Sequence, residues 1–313
     1  MPLSWEQFYA ENPPPSDLDQ KRHYVQDFCQ KHLNNGSRIV LITSGGTTVP
    51  LEHHTVRFVD NFSAGTRGSA SAEYFLEIGY AVIFLYRLKS IEPYLRHVMG
   101  SRFLDMLEID KSADNTSISV KPSEVHNILP VLTKYNAAKE SQKFLQVGFT
   151  TLSDYLWLLK TICETLPSFG ARAMIYLAAA VSDFYVPATQ MPTHKMQSQD
   201  GAPTIQLDLV PKILQPLVSS WVPNAYVISF KLETDENILI KKARGALLKY
   251  KHKIVLANLM DTRRSRVVAV TPEDETEIIL TEEQKQKGLE LEKFIVDYLS
   301  EEHSKFIMES TAQ

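Results

Sequence analysis

The most hydrophobic run in the chain, residues 173–181 (AMIYLAAAV), strongly limits the folds that this protein can adopt. A strand that is apolar on both faces must be covered on both faces, as central strands of parallel sheets are. Further apolar runs at 38–43, 81–87, 144–149 and 226–230 alternate with helical patterns over 66–78, 124–140, 152–166 and 236–250. This alternation predicts an α/β fold: a doubly wound, Rossmann-like, mostly parallel sheet with helices on both faces.

The rest of the chain adds smaller predicted elements to this sheet. The alternation of Ile205, Leu207 and Leu209 indicates a half-exposed strand, and residues 184–225 are predicted to form a small antiparallel appendage. Short strands are predicted at 253–258, 266–270 and 277–280, a closing helix at 282–302, and a polar surface loop at 110–123. Because no linker separates two units, we expect an N-terminal helical segment, 1–37, and one domain, 38–313.

Composition excludes several classes of protein. The net charge of −4 gives no general reason to expect binding to nucleic acid or to membranes. The two cysteines, Cys29 and Cys163, form no C-x-x-C motif, which excludes a disulfide framework and a zinc ribbon and fits a reducing compartment. The N-terminus has no secretory signal pattern, and no apolar stretch approaches the roughly 20 residues that span a bilayer. We therefore expect a cytoplasmic protein.

Two loops rich in small residues follow the first predicted strand. That strand runs into Ser44-Gly45-Gly46-Thr47, and the loop at 57–68 carries Asn61, Ser63, Gly65 and Gly68 before a helix. Glycines let a backbone approach a phosphate closely, and the free N–H groups at a helix N-terminus attract anions. Both loops therefore suit the phosphates of a nucleotide. The alternative reading is that Gly45-Gly46 only makes a turn and that Gly68 only packs the helix on the sheet.

The common nucleotide fingerprints are absent from the sequence. No G-x-G-x-x-G follows the first strand, and no G-x-x-x-x-G-K-[ST] occurs in the chain. The next strand ends in Arg87, where a dinucleotide-binding unit has an acidic residue for the ribose. These absences argue against a standard NAD-binding unit and favour a different nucleotide chemistry.

Polar residues follow several of the predicted strands, where open α/β sheets bind their ligands. Ser182-Asp183 follows the central strand, Lys231 and Glu233 follow the strand at 226–230, and Asn258 follows the strand at 253–257. Together they predict one crevice. Lys195, on a Pro-bounded loop, is either a solvated surface lysine or a cation that folds over this crevice towards a phosphate. Arg57 and Arg67 flank the Asn61 loop as candidate anion partners.

Taken in order, these residues carry a resemblance to a known family. The motifs V-R-F-x-D-N-F-S-x-G-x-R-G after S-G-G-T, then L-A-A-A-V-S-D-F-Y-V-P, H-K-M-Q-S and I-S-F-K-L-E-T, extend from about residue 38 to the last helix. The chain closely resembles the eukaryotic, stand-alone form of phosphopantothenoylcysteine synthetase, also called phosphopantothenate–cysteine ligase. The N-terminal helix is less diagnostic.

The resemblance implies a reaction of coenzyme A biosynthesis. The family joins 4′-phosphopantothenate to L-cysteine after the carboxylate attacks the nucleotide α-phosphate, giving an acyl-nucleotide and pyrophosphate. Eukaryotic members are expected to favour ATP, whereas bacterial relatives use CTP. Magnesium is expected on the triphosphate, where it neutralises charge. The family is also expected to form a homodimer with the site completed across the interface.

The resemblance also assigns roles residue by residue. Asn61 is expected to contact the reacting acyl group, and Arg57 to serve the cysteine-consuming step. The expected nucleotide contacts are Gly45, Ser63, Gly65 and Gly68 at the triphosphate, with Phe230 and Asn258 around the base and sugar. Ala179, Ala180 and Asp183 match the pantothenate-binding segment. Where bacterial members read K-x-K-K, this chain keeps only Lys195, so a role near the phosphates is expected for that lysine alone.

Two other functions are weighed against the ligase. An NAD(P)-dependent oxidoreductase would need a dinucleotide fingerprint and usually a Tyr-x-x-x-Lys pair; Tyr135 and Lys139 have that spacing but lie outside the matched motifs. A non-catalytic nucleotide-binding protein would be favoured by loss of Asn61 or Lys195, and both are present. Neither alternative accounts for the ordered set of motifs.

Overall fold

The computed structural model describes residues 3–98, 103–112 and 115–312. Its α-helices are α1 Trp5–Glu11, α2 Leu18–Asn34, α3 Thr66–Glu77, α4 Val125–Glu140, α5 Leu152–Cys163, α6 Leu214–Pro216, α7 Glu236–Tyr250, α8 Glu282–Gln286 and α9 Leu291–Thr311. Its strands are β1 Ile39–Ser44, β2 Thr48–Pro50, β3 Phe58–Asp60, β4 Ala81–Arg87, β5 Leu107–Ser112, β6 Asn115–Val120, β7 Phe144–Phe149, β8 Ala173–Leu177, β9 Phe184–Tyr185, β10 Asp208–Leu209, β11 Tyr226–Glu233, β12 Ile254–Leu259, β13 Arg266–Val270 and β14 Glu275–Ile279.

The main sheet has the strand order β14-β13-β12-β11-β8-β1-β4-β7. The strands from β12 to β7 are parallel, and β13 and β14 add antiparallel pairs at one edge. The chain winds from β1 outwards through β4 to β7 and then returns to β8 on the other side of β1. The strand order therefore reverses between β1 and β8, which is where doubly wound sheets bind ligands. The predicted fold class is confirmed.

The alternation of side chains along the strands explains the helices on both faces. In β1, Ile39 and Leu41 belong to the apolar core that α2 and α5 cover. Val40 and Ile42 point the other way, into the core under α3 and α9. All four residues are fully buried, so β1 is a central strand that is closed off from water on both sides.

The N-terminal helix α1 packs against α5, a helix that covers one face of the sheet. Phe8 and Tyr9 of α1 are buried in the core that contains α5. The Tyr9 hydroxyl donates to the carbonyl oxygen of Leu156 (2.8 Å), and the Trp157 indole N–H donates to that of Asn12 (2.8 Å). Among the described residues, none of the helices combines the length and the apolar character that a membrane-spanning helix needs.

Four sequence predictions differ from the observed elements. The predicted loop at 110–123 contains most of an antiparallel hairpin, β5–β6, whose pairing runs from Leu107 opposite Val120 to Ser112 opposite Asn115. The half-exposed strand predicted from Ile205, Leu207 and Leu209 is reduced to β10, which pairs with β9. The predicted closing helix is two helices, α8 and α9, because Gly288 adopts a left-handed φ of 70° between them. The central strand ends at Leu177 because the residues after it turn to bond the loop that follows β1.

Candidate active site

The loops after β1 and β8 are hydrogen-bonded to each other across the point where the strand order reverses. The backbone N–H of Ala180 donates to the carbonyl oxygen of Gly45 (2.8 Å), and the N–H of Thr47 donates to that of Ala180 (3.0 Å). The Thr47 hydroxyl oxygen then accepts from the N–H of Ser182 (3.0 Å). These bonds place two of the predicted site segments side by side at the floor of one crevice.

Asn61 is held at this floor by its backbone. Its N–H donates to the carbonyl oxygen of Thr47 (3.1 Å). A Cβ atom on Gly46 would overlap the Asn61 carbonyl oxygen and would come 2.8 Å from its carbonyl carbon. Only glycine allows this close approach of the two loops. The Asn61 side chain is half-buried, and it makes no hydrogen bond to the residues that the structure describes. Its amide is therefore available to a ligand.

The N-terminus of α3 lies against the end of β1. The Ser44 hydroxyl donates to the carbonyl oxygen of Gly65 (3.0 Å), and Gly65 adopts a φ of 83°. A Cβ atom on Gly68 would lie 2.5 Å from Ser44 Oγ, so this glycine is needed for the helix to pack on the strand. No side chain caps the first turn of α3. Its free N–H groups and the positive end of its dipole, next to Ser63, are suited to an anion.

Arg57 is held by a buried carboxylate that sequence reasoning missed. Glu52 is fully buried and accepts hydrogen bonds from the Arg57 backbone N–H (2.8 Å), the Arg57 guanidinium (2.8 Å) and the Val56 N–H (3.1 Å). These donors, the Arg57 N–H foremost, hold the pKa of Glu52 down to about 2. Glu52 is therefore ionised near neutral pH, and it fixes one end of the loop that leads into β3.

The loop that carries Lys195 packs against this Glu52–Arg57 loop. The N–H groups of His53 and His54 donate to the carbonyl oxygens of Pro192 (2.9 Å) and Thr193 (3.1 Å). The Lys195 side chain is exposed and has no carboxylate partner among the described residues. Lys195 and Arg57 thus lie on two packed loops, and neither residue lines the cavity described next.

A cavity of about 240 Å³ opens at the carboxyl ends of β8 and β11. It is lined by Tyr155, Leu156, Leu159, Leu177, Ala179, Val181, Ser182, Asp183, Val210, Pro211, Lys212, Ile213, Leu214, Leu217, Ser229, Phe230 and Tyr250. Three predicted residues, Ala179, Asp183 and Phe230, therefore share one site. Lys212 was not predicted: its Nζ lies 3.4 Å from Asp183 Oδ1, and it is the one lysine or arginine among the described residues that line this cavity. Its only sequence signal was its place just after a half-exposed strand.

Phe230 and Asn258 lie on neighbouring strands, β11 and β12. The Phe230 ring packs edge-on against Tyr176, and the Arg67 guanidinium lies 5.7 Å from its centre. Arg67 also pairs with Glu292 of α9 (3.0 Å). Asn258 is buried, and its Oδ1 has no hydrogen-bond partner in the described part of the chain. Buried polar atoms are rarely left unpaired, so this oxygen fits a contact with a ligand.

The predicted site residues thus fall into three neighbouring groups. Gly45, Asn61, Ser63, Gly65, Gly68, Ala179 and Ala180 belong to the crevice floor and the start of α3. Ala179, Asp183 and Phe230 line the cavity, with Asn258 one strand further along the sheet. Arg57 and Lys195 lie on the two packed loops. The Tyr135–Lys139 pair lies on α4, where the Lys139 ammonium sits over the Tyr135 ring (5.4 Å).

Comparisons with known proteins agree with this geometry. Residues 159–297 match the family model described as DNA/pantothenate metabolism flavoprotein C-terminal domain. The mouse protein named phosphopantothenate–cysteine ligase is 46% identical over 302 residues, covering 95% of this chain and 96% of the mouse protein. The yeast protein named phosphopantothenate–cysteine ligase CAB2 is 40% identical over 329 residues, covering 97% and 87% of the two chains.

Solved structures give the same result. A Cab2 variant in complex with phosphopantothenate-cysteine matches with a TM-score of 0.87 at 41% identity, covering 98% of this chain and 99% of the other. A Streptococcus pneumoniae protein called the DNA/pantothenate metabolism flavoprotein matches with a TM-score of 0.58 at 18% identity, covering 86% of this chain and all of the other. That second likeness shows a shared fold.

Proposed function

The chain belongs to the phosphopantothenate–cysteine ligase family, and from that membership we propose how its crevice carries out the reaction. As a member, it is a ligase of coenzyme A biosynthesis that joins 4′-phosphopantothenate to L-cysteine. The observation that carries the assignment is the likeness over nearly the whole chain to relatives that bear this name. A cytoplasmic location stays a prediction.

The reaction that we propose has two steps and uses ATP. A carboxylate oxygen of phosphopantothenate attacks the α-phosphorus of ATP, and the bond to pyrophosphate breaks. The cysteine nitrogen then attacks the carbonyl carbon of this acyl-adenylate, loses a proton, and displaces AMP to leave the amide. Activation is needed because a carboxylate oxygen is a poor leaving group. CTP is the other candidate nucleotide, and the preference for ATP stays a prediction.

The crevice floor supplies what this nucleotide needs. The open first turn of α3, with Ser63, Gly65 and Gly68 around it, offers N–H groups to a triphosphate. Gly45 adopts a φ of 85° and brings the backbone of the β1 loop to the same edge. Phe230 and Asn258, whose Oδ1 has no hydrogen-bond partner among the described residues, are proposed to contact the base and the sugar.

The described residues contain no cluster of three or more His, Cys, Asp or Glu side chains arranged to hold a metal ion. A resident metal centre built from such side chains therefore does not fit them, whereas Mg²⁺ carried by the triphosphate does. When bound there, Mg²⁺ would neutralise part of the charge that builds up on the phosphate oxygens. The chain's own contribution is the set of N–H donors at the start of α3.

Asn61 is proposed to act on the reacting acyl group. Its backbone is fixed by Thr47, while its side-chain amide is free of hydrogen bonds within the described chain. An amide N–H in this position donates to a carbonyl oxygen whose negative charge grows as the cysteine nitrogen bonds to the carbonyl carbon of the acyl-adenylate. Fixing the backbone places the donor before the substrate arrives, so little reorganisation is needed during the reaction.

One product assay tests the proposed function. We expect protein supplied with phosphopantothenate, L-cysteine, Mg²⁺ and ATP to form phosphopantothenoylcysteine with equal amounts of AMP and pyrophosphate. ATP and CTP are supplied in separate reactions, so the rates also give the nucleotide preference. Release of ADP and phosphate would mean that the intermediate is an acyl phosphate and not an acyl-adenylate. Absence of product from folded protein with either nucleotide would remove the ligase activity.

We further propose that Lys212 recognises the phosphate of phosphopantothenate. A phosphate needs a cation, and Lys212 is the lysine that lines the cavity next to Asp183. Lys212→Ala is expected to raise KM for phosphopantothenate by about tenfold or more while kcat changes little, since a charge-assisted hydrogen bond is lost from ground state and transition state alike. The measurement is steady-state kinetics with phosphopantothenate and with pantothenate.

The unphosphorylated substrate is the internal control for this prediction. Lys212→Ala should leave the kinetics with pantothenate unchanged, so the preference for the phosphorylated substrate should fall. Lys241→Ala, which removes an exposed lysine from α7, should behave like wild type with both substrates. An equal effect of Lys212→Ala on the two substrates would mean that Lys212 contacts something other than the phosphate.

The homodimer is proposed on the basis of exposed apolar side chains around the crevice. Val56, Phe58, Val59 and Phe62 are exposed along and beside β3, and Phe62 is 96% exposed. Phe184 and Leu209, on the paired strands β9 and β10, are also exposed. Apolar side chains grouped in this way are typical of an interface. A second copy of the chain would cover them and bring its own loops to the crevice.

Arg57 and Asn61 are proposed to serve different sites of this dimer. They lie at opposite ends of β3, so four residues of extended chain place their Cα atoms about 13 Å apart. The Arg57 side chain, held by Glu52, is 43% exposed near the apolar side chains of β3, so a second subunit that covers them would contact it. We expect Asn61→Ala and Arg57→Ala each to be nearly inactive alone, and their mixture after subunit exchange to recover about a quarter of wild-type activity.

The expected recovery follows from random pairing of subunits. Half of the dimers then contain one subunit of each kind, and each such dimer has one site with both residues intact. Activity after mixing is measured alongside the molecular mass in solution. A dimer that shows no recovery would place Arg57 and Asn61 in the same site, and a monomer would remove the shared site altogether.

A further inference from the structure

A second cavity, of about 260 Å³, lies away from the crevice. Its lining comprises Arg244, Leu247, Leu248, Lys251, His252, Lys253, Thr271 and Pro272. It is formed by the carboxyl end of α7, the residues that precede β12, and the residues that follow β13. The crevice lies at the carboxyl ends of the parallel strands, whereas this cavity lies at the amino end of β12. No residue proposed above for the ligase reaction lines it.

The charges around this second cavity favour an anion. Arg244 is paired with Glu275 (2.7 Å), whereas Lys251 and Lys253 have no carboxylate partner among the described residues. The Lys253 ammonium lies 4.7 Å from the centre of the Phe306 ring. Two lysines without a carboxylate partner in the described part of the chain thus line one cavity from a stretch of three residues. A phosphate, with several acceptor oxygens, can take hydrogen bonds from both at once.

Apolar side chains form the rest of the lining. Leu248 is 70% exposed, Leu247 is buried beside it, and Pro272 closes another side. A bare phosphate ion would leave these surfaces in contact with water. An anion with an apolar portion would cover them, and burial of that portion would add to its affinity. The lining therefore fits an organic phosphate better than an inorganic one.

His252 connects the second cavity to the first cavity, which Asp183 and Lys212 line and which is called the substrate cavity below. Its side chain is only 2% exposed, its Nε2 lies 2.8 Å from Ser229 Oγ, and its Nδ1 has no hydrogen-bond partner in the described chain. Burial lowers the pKa of His252 to about 4, so the ring is neutral near pH 7 and carries one N–H. Ser229 and Tyr250 line the substrate cavity. Residues 250–253 therefore form a wall that is shared by the two cavities.

We propose that the second cavity binds a small phosphomonoester with an apolar portion, and that its occupancy is sensed in the substrate cavity through the His252–Ser229 hydrogen bond. A phosphate oxygen that accepts from Nδ1–H fixes the tautomer in which Nε2 accepts from the Ser229 hydroxyl. The Ser229 proton is then directed away from the substrate. The binding step is independent of the ligase activity, and only the sensing step rests on the proposed function.

Binding is tested by calorimetric titration of the full chain with phenyl phosphate, with inorganic phosphate and with phenol. We expect saturable binding of phenyl phosphate, weaker binding of inorganic phosphate, and none of phenol. Lys251→Ala/Lys253→Ala should weaken the binding of phenyl phosphate about tenfold or more, because both charge-assisted contacts are lost. The matched control is Lys285→Ala/Lys287→Ala, which removes the same charge from the carboxyl end of α8 and the residue after it, and should bind like wild type.

The sensing step has its own readouts. Phenyl phosphate should shift the ring ¹⁵N resonances of His252 towards a single tautomer in wild type but not in the double Lys251/Lys253 variant. It should also change KM for phosphopantothenate in wild type, whereas the double variant should keep wild-type kinetics and lose this response. The His252 resonances report on the site even if the protein proves to have no ligase activity.

Three results would overturn the proposal. An absence of saturable binding of phenyl phosphate would mean that Lys251 and Lys253 only offset the partial negative charge at the carboxyl end of α7. Binding that is lost in Lys212→Ala and kept in Lys251→Ala/Lys253→Ala would assign the anion to the substrate cavity. Binding that leaves both the His252 resonances and the KM unchanged would make this a site without communication to the crevice.

Discussion

Asn61→Ala is expected to lower kcat/KM for phosphopantothenoylcysteine formation by about 10²–10³-fold, the usual effect of removing one donor to a developing oxyanion. The loss should appear mainly in kcat, because the hydrogen bond strengthens as charge develops on the acyl oxygen. Asn61→Asp should be at least as damaging, since a carboxylate cannot donate and would repel both the substrate carboxylate and the triphosphate. Steady-state kinetics of product formation measures both variants.

The fold should survive these substitutions. The Asn61 side chain makes no hydrogen bond within the described chain, and its backbone bond to Thr47 remains in both variants. The melting temperature should therefore stay close to that of wild type. Asn127→Ala is the matched control, because it removes an exposed amide from α4 whose side-chain hydrogen bond goes to Glu124. Near-normal turnover in Asn61→Ala would remove this residue from the chemistry.

Gly46→Ala is expected to inactivate the enzyme by moving Asn61. The added methyl group would overlap the Asn61 carbonyl oxygen, and the obstacle is backbone, which cannot rotate away as a flexible side chain can. The loop at 57–63 must shift, and the Asn61 amide must shift with it. A displacement of about 1 Å can cost about 10²-fold in rate, so we expect at least that loss of kcat. We also expect unfolding to become easier by about 1–3 kcal/mol.

A second glycine in the chain provides a sharp control. Gly245 lies inside α7, and a Cβ atom at this position would meet nothing within 4 Å. Gly245→Ala should therefore leave turnover unchanged and raise the free energy of unfolding by about 0.5–1 kcal/mol. Kinetics and denaturant titration of the two variants together separate a local clash from a general effect of alanine. Wild-type kinetics in Gly46→Ala would show that the loop can relax without moving Asn61.

The elements that the sequence predicted correctly are those whose apolar residues recur with the period of a buried helix or strand face. The helix predicted at 236–250 is α7, and the strand predicted at 266–270 is β13. The carboxyl end of β8 and the hairpin within 110–123 could not be predicted in this way. Residues 178–181 are apolar, but their backbone bonds go to the β1 loop instead of a strand ladder. The hairpin β5–β6 exposes Ile109 and Ile118, so its sequence lacks a buried face that would reveal it.

The candidate site was predictable where motifs and strand ends coincide. The loops that carry Gly45 and Asn61 follow directly from small residues after an apolar strand. Lys212 and Glu52 were missed for physical reasons. Lys212 reaches the cavity only because β9 and β10 pair and bring residues 210–212 back to Asp183. Glu52 is stabilised largely by backbone N–H groups, which any residue carries and which therefore leave no trace in the sequence.

The hydrogen bonds between Gly45, Thr47, Ala180 and Ser182 divide the crevice into parts of different local stability. They join the two halves of the doubly wound sheet at the floor, so separating those loops means opening the β1–β8 centre of the protein. Such an opening belongs to global unfolding. The loops that carry Arg57 and Lys195 lie outside this network, bond each other, and can open at lower cost. Substrates can therefore be admitted, and product released, by motion of the loops that carry Arg57 and Lys195, while the crevice floor keeps its shape.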